Sequence, residues 1–147
     1  MLFETVKMVR HSNAVAAGTT VITPSAGVDT QGFDHVTFQA LFGTITAGAA
    51  TSIEVHQSDD DGDTDAYSAL EGTNVTVADD DDNKIAVVEV IRPAKRYLKL
   101  VVNRATQNAV LDGIVALLSG AKVHPVTQDS TVIAASEIHV SPEEGTA

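Results

Sequence analysis

Apolar residues alternate with polar ones at a period of two along much of this chain, and helical periodicity is nearly absent. Such a pattern buries one face of a strand and solvates the other, so it commits the chain to β structure. From His35 to Phe42, Val36, Phe38, Ala40 and Phe42 fall on one face, and His35, Thr37 and Gln39 on the other. From Thr51 to Gln57, Ile53 and Val55 face in while Ser52, Glu54 and His56 face out. From Arg96 to Asn103, Leu98, Leu100 and Val102 oppose Tyr97 and Lys99. Ile85–Ile91 is β-branched and apolar on both faces apart from Glu89. Ile114–Leu118 is apolar on both faces too, as a central or interface strand is. Thr19–Thr23 and Val75–Ala78 are shorter candidates.

The punctuation between these runs is of the turn kind. Gly43–Ala50 (GTITAGAA) reads as a small-residue connector, Asp59–Asp65 (DDDGDTD) as a polar turn centred on Gly62, and Asp79–Asn83 (DDDDN) as the turn closing the next pair. Pro93 in Arg92-Pro93-Ala94-Lys95 lacks the amide that a central strand needs. Many short strands at this spacing predict an all-β fold, an antiparallel β-sandwich of jelly-roll type. The two ends differ in character from the middle. We divide the chain into an N-terminal segment (1–18) ending in AVAAG, a sandwich domain (19–124), and a C-terminal arm (125–147). In the arm, Val132, Ile133, Ile138 and Val140 are apolar. It reads equally as an extended arm ordered on a neighbouring surface or as a tail with one edge strand.

With 147 residues the chain can bury roughly two thirds of its unfolded surface, so a core forms without staples. There is no cysteine, hence no disulfide and no thiolate metal site. Four Phe, two Tyr and no Trp leave the core to small aliphatic side chains, which suggests that a partner finishes some apolar surface. A net charge of −11 opposes binding to nucleic acid and adhesion to an anionic membrane. The first residues, MLFETVKMVRHSN, contain no apolar run of signal-peptide length, and no stretch reaches the length of a membrane span. The expectation is a soluble protein that nothing in its N-terminus directs through the usual export route.

Candidate chemistry is sparse. In QSDDDGDTD, placing Gly62 at the sixth position of a calcium loop puts Asp59 and Asp61 at the third and fifth, with Asp63 next. The first position is then Gln57 and the twelfth Ser68, where a bidentate Glu is required. Two readings stand: a solvated hairpin turn, or a cation site of another kind using Asp59, Asp61 and Asp63. Whether this loop and Asp79–Asp82 share one end depends on whether Tyr67–Leu70 and Val75–Ala78 are two antiparallel strands or one. Arg92, Lys95, Arg96, Lys99 and Arg104 are clustered. Arg92, Lys95 and Arg96 in particular either pair with a neighbour's acidic loop or guard a strand edge. His11, His35, His56, His124 and His139 lack metal-ligand spacing and read as surface residues, with His35 and His56 candidate cross-strand neighbours. No nucleophile elbow, phosphate loop or dinucleotide motif occurs, so neither catalysis nor a cofactor is expected.

The segments Val28-Asp29-Thr30-Gln31-Gly32-Phe33-Asp34, HVTFQALFG, TSIEVHQSDDDGD, RPAKRYLKLVV and VALLSGAK together resemble a family of small tailed-bacteriophage proteins encoded with the head genes, the capsid decoration or cement proteins. The resemblance spans about residues 20–124, and the C-terminal extension departs from it. It implies a β-sandwich that oligomerises, often as a homotrimer, on the outside of an icosahedral head. Its partners would be the major capsid protein and copies of itself, with Val132, Ile133, Ile138, Val140, Arg92, Lys95 and Arg96 as candidate contacts.

Overall fold

The computed structural model describes residues 1–141 and 143–146. After one helical turn (α1, Leu2–Thr5) the described residues form ten strands. They are β1 (Lys7–Ser12), β2 (Val15–Gly18), β3 (Val28–Asp29), β4 (His35–Ile45), β5 (Ala50–Ser58), β6 (Ser68–Ala69), β7 (Val75–Val77), β8 (Ile85–Ile91), β9 (Tyr97–Ala105) and β10 (Ala109–Ser119).

Every pairing is antiparallel. One sheet has the order β1-β10-β4-β8, with β2 extending β1 along β10; the other runs β3-β9-β5, with β6 and β7 both on the outer edge of β5. If β1–β2 and β6–β7 are each taken as one interrupted strand, eight strands remain. The chain then crosses between sheets at every step except β5 to β6–β7. That is the jelly-roll wind, and the fold is an antiparallel β-sandwich of the expected class.

The alternation explains the core. In β4, Val36, Phe38, Ala40 and Phe42 point inward and are almost wholly buried. Ile53 and Val55 of β5, Leu98, Leu100 and Val102 of β9, and Ile114, Ala116 and Leu118 of β10 complete the same interior. β10 is central, between β1 and β4, as its two apolar faces predict. Gly32 adopts φ +88° in the turn before β4, a conformation that other residues resist.

Several expectations need correction. β4 does not stop at Phe42: Gly43–Ile45 continue it, and Ile45 pairs with Ala109 and enters the core. Register shifts at Ala109/Leu111 and Leu111/Gly113 keep this extension paired. Thr19–Thr23 contributes one bridge, Ile22 to Val102. β8 is apolar on both faces yet lies at a sheet edge. The boundary at residue 18 falls inside the fold, because β1 and β2 pair along most of β10. β6 and β7 lie end to end along β5, Ser68 opposite Gln57 and Val77 opposite Thr51. The two aspartate loops are therefore at opposite ends of the sandwich.

The arm boundary at 125 shifts as well. The Gln128 side chain accepts from the Met8 amide (3.1 Å) and donates to the carbonyls of Phe3 (2.9 Å) and Val6 (2.6 Å). Val126 N donates to Glu4 O. These bonds clasp the two ends of the chain together, and the segment free of the body begins only after Ile133.

Candidate functional site

The Asp59–Asp65 loop is organised by its own carboxylates. Asp60 accepts the amides of Asp63, Thr64 and Asp65 and the Thr64 hydroxyl. The Thr64 hydroxyl bond, then the amides, hold its carboxyl well below the usual range. The buried Ser58 hydroxyl donates to Asp65 O (2.7 Å) and accepts from Gly62 N (2.8 Å). Asp61 turns away and accepts from Gly27 N (2.6 Å) and the Tyr67 hydroxyl. Burial, reinforced by Asp61, raises the Tyr67 phenol above its ordinary value. Asp59 faces Lys95 at 3.7 Å. The Asp63 side chain makes no hydrogen bond among the described residues. The calcium candidates Asp59, Asp61 and Asp63 thus diverge. Among the described residues no three His, Asp or Glu side chains converge as a metal site.

The basic cluster is likewise committed within the chain. Lys95 Nζ lies 2.6 Å from Asp65, and this bond lowers the Asp65 carboxyl and raises the Lys95 ammonium. Arg96 forks onto both oxygens of Asp29 at 2.9 and 2.7 Å, holding that carboxyl low. Lys99, nearly buried, sits 3.9 Å above the Tyr67 ring and donates to Ser25 O. Arg104, also buried, donates to the carbonyls of Ala16, Thr20 and Ala109, pinning the β2–β3 loop to the end of the sandwich. Lys95 and Arg96 are thus each paired with a carboxylate of their own chain, Arg96 remaining half-exposed. Arg92 differs: it is exposed, has φ +50° at the end of β8, and makes no side-chain hydrogen bond or ion pair among the described residues.

The Asp79–Asp82 loop braces the opposite end: Asp79 accepts from Gly48 N, Asp82 from Ile45 N, and Asp81 from Ala78 N and Lys84 Nζ. His35 and His56 lie in different sheets and are not neighbours. His56 instead bonds Glu54 on its own strand at 2.8 Å. His11, read as a surface residue, is mostly buried. Its ring packs on Phe38 at 5.3 Å, and its Nε2 accepts the Leu100 amide across the sandwich (3.1 Å). Burial, with Lys99 nearby, depresses its pKa to about 4.

The arm candidates divide into two pairs. Val132 and Ile133 are half-buried and roof a cavity of about 340 Å³ over the outer face of β1 and β10, against Met8, Leu41 and Val115. Ile138 and Val140 are exposed, Val140 at 95%. Farther along the same sheet, β8 presents Ile85, Val87 and Ile91 at 56, 49 and 58% exposure. A second cavity, about 280 Å³, opens beside β8 between the sheets, lined by Phe42, Val75, Val77 and Val87 and by the charged Asp81 and Lys84. Sequence reasoning missed the exposed strip because an apolar run does not reveal whether its strand is central or at an edge.

No protein-family model and no curated protein matches the chain. Among solved structures it is similar to a chain of the disulfide-linked pili that form Bacillus endospore appendages. The identity is 16% and the TM-score 0.44, over 78% of this chain and 88% of that one. It is also similar to a chain of infectious bursal disease virus, Gx strain, at 14% identity and a TM-score of 0.47, over 82% of this chain and 34% of that one. A third likeness is to the CBM22-1–GH10 modules of xylanase 10B from Clostridium thermocellum, complexed with xylohexaose. There the identity is 11% and the TM-score 0.45, over 85% of this chain and 28% of that one. Likenesses at this level carry no argument about what the chain binds.

Proposed function

We propose that this chain is a virion structural protein that decorates the outer surface of a bacteriophage head and stabilises it without catalysis. The observation that carries the reading is the distribution of its unsatisfied surface. Of the large apolar side chains left in water, Ile85, Val87 and Ile91 lie along one sheet edge, β8, and Ile138 and Val140 on the C-terminal segment, where a macromolecular partner can cover them; Met1, Leu2, Val21 and Val123 are exposed elsewhere. Most of the clustered acids and bases, by contrast, are bonded within the chain, Arg92 and Asp63 being exceptions among the described residues. The resemblance of residues 20–124 to decoration proteins points the same way. Its partners would be the major capsid protein and copies of itself, in a homotrimer on the capsid exterior. Strong negative charge would keep it soluble before assembly.

The test is to mix purified protein with capsids stripped of surface proteins and to measure co-sedimentation and the capsid's melting temperature. Saturable binding with a raised melting temperature is expected. No binding and no change in the capsid would overturn the proposal. Microscopy of labelled particles separates decoration, with many copies over the shell, from a tail-tube, head–tail joining or fibre-associated subunit, which would label one vertex or the tail.

A further inference from the structure

The free edge of β8 is built to accept another strand. Arg92 N donates to Asp34 O, and Phe42 N to Lys84 O. With the register of β4 and β8, this assigns the even-numbered residues of β8 to the ladder with β4. Ile85, Val87, Glu89 and Ile91 consequently turn their amides and carbonyls outward. The edge is seven residues long and carries neither proline nor lysine, the usual guards against pairing. Beside it lies the cavity between β7 and β8, apolar at Phe42, Val75 and Val77 and polar at Asp81 and Lys84.

The chain also carries a strand with no place of its own. Ser136-Glu137-Ile138-His139-Val140 alternates with period two and is exposed throughout. No backbone hydrogen bond involves residues 134–141 among those described. In the single molecule this strand does not lie on its own β8, and its first residue falls short of that edge. Ile133 is seated over β1 and β10, and a strand added outside β8 would lie three strand spacings from β10, about 14 Å in the plane of the sheet. From Ile133 to Ser136 the chain spans at most about 11 Å.

The geometry points to strand exchange between copies: residues 136–140 of one molecule pair with the free edge of β8 of a second, Ile138 entering the cavity lined by Phe42, Val75 and Val77. Charge sets the direction. An antiparallel tail would carry Glu143 and Glu144 toward Asp79–Asp82, whereas a parallel one brings them to Arg92, whose side chain has no partner among the described residues. The added strand is therefore parallel to β8. The contact joins two different surfaces, so it closes into a ring, such as the proposed trimer, or propagates as a chain of copies.

The test needs no capsid, so its failure is separable from that of the decoration reading. The purified full chain is compared by light scattering after size exclusion with two variants. One lacks residues 134–147. The other, Val87→Pro, removes an outward amide while leaving the bonds to β4 intact. Both should melt as the parent does. The full chain is expected to be oligomeric and each variant monomeric, with at least a tenfold loss of association. An equimolar mixture of the two should form a heterodimer, since one keeps the acceptor edge and the other the donor strand. A monomeric full chain would overturn the proposal, as would undiminished assembly of either variant or a mixture that stays monomeric. Assembly of full chain only in the presence of capsids would assign the edge to the shell instead.

Discussion

Mild acid should weaken this fold through one side chain, His11. Its ring lies between the sheets, against Phe38 and hydrogen-bonded to the Leu100 amide. An imidazolium there would be desolvated, would lie near Lys99, and could no longer accept that bond. The pKa falls from 6.5 to about 4 on folding. The native state thus binds fewer protons than the unfolded chain, and stability drops as the pH descends from 6.5 toward 4. Linkage puts the loss at about 1.4 kcal/mol by pH 5.5, about 2 by pH 5, and about 3 by pH 4. Asp29, Asp65 and Asp81, whose pKa values are lowered, begin to lose their contributions as the pH enters the ordinary carboxylate range, so the two effects separate above pH 5. The comparison is with His11→Gln, whose amide oxygen can accept from Leu100 N without titrating. Urea denaturation followed by circular dichroism at pH 7, 5.5 and 5 stays above the sequence pI of about 4.6, where solubility is lowest. The parent's unfolding free energy should fall by about 2 kcal/mol over this range, and that of His11→Gln by much less. Parallel declines would refute the reasoning.

Four further outcomes are expected. Gly27→Ala should destabilise the protein by more than 1 kcal/mol, because the added Cβ would stand 2.0 Å from the Tyr67 hydroxyl and 3.0 Å from an Asp61 oxygen; thermal melts check this, with Tyr67→Phe as a partial rescue. Gln128→Ala breaks three hydrogen bonds and should cost about 2 kcal/mol, with limited proteolysis releasing the first residues sooner. Arg104→Met strips three carbonyls of their donor and should cost about 3 kcal/mol, read as a lower urea midpoint. Calcium at millimolar concentration should leave the melting temperature unchanged, since Asp59, Asp61 and Asp63 diverge; a rise would show that the loop rearranges around the ion.

The architecture was legible because period-two burial is local: whether Val36, Phe38, Ala40 and Phe42 share a face follows from strand geometry alone. Strand order was not, because the depth of a strand depends on what lies beside it. β8 and β10 both read as apolar on two faces. β10 gains neighbours on each side, while among the described residues β8 has only β4. Gly43–Ile45 read as a connector because Gly and Thr are poor in core-forming area. A tertiary fact, the irregular register of β10 opposite them, places Ile45 in the core. His11 was misread for a similar reason: nothing near it in sequence shows that the irregular step between Arg10 and Ser12 lies at this point of β1 and that its ring enters the interior.

Charge misled in an instructive way, because a formal count treats every side chain as facing solvent. Of the nine Lys and Arg, Lys84, Lys95, Arg96, Lys99 and Arg104 are engaged by the chain's own carboxylates, carbonyls or Tyr67 ring. Lys7, Arg10, Arg92 and Lys122 make no such side-chain bond among the described residues. The clustering between Arg92 and Arg104, which suggested a basic strand offered to a partner, is mainly internal fastening: two ion pairs, a cation over an aromatic face, and a buried guanidinium that gathers carbonyls. These internal pairings reduce what the cluster offers an acidic partner, although Arg96 stays half-exposed and Arg92 has no side-chain partner among the described residues. In the proposed contact the apolar part is supplied by Ile85, Val87 and Ile91, where β8 ends its sheet, and by Ile138 and Val140 past Ile133.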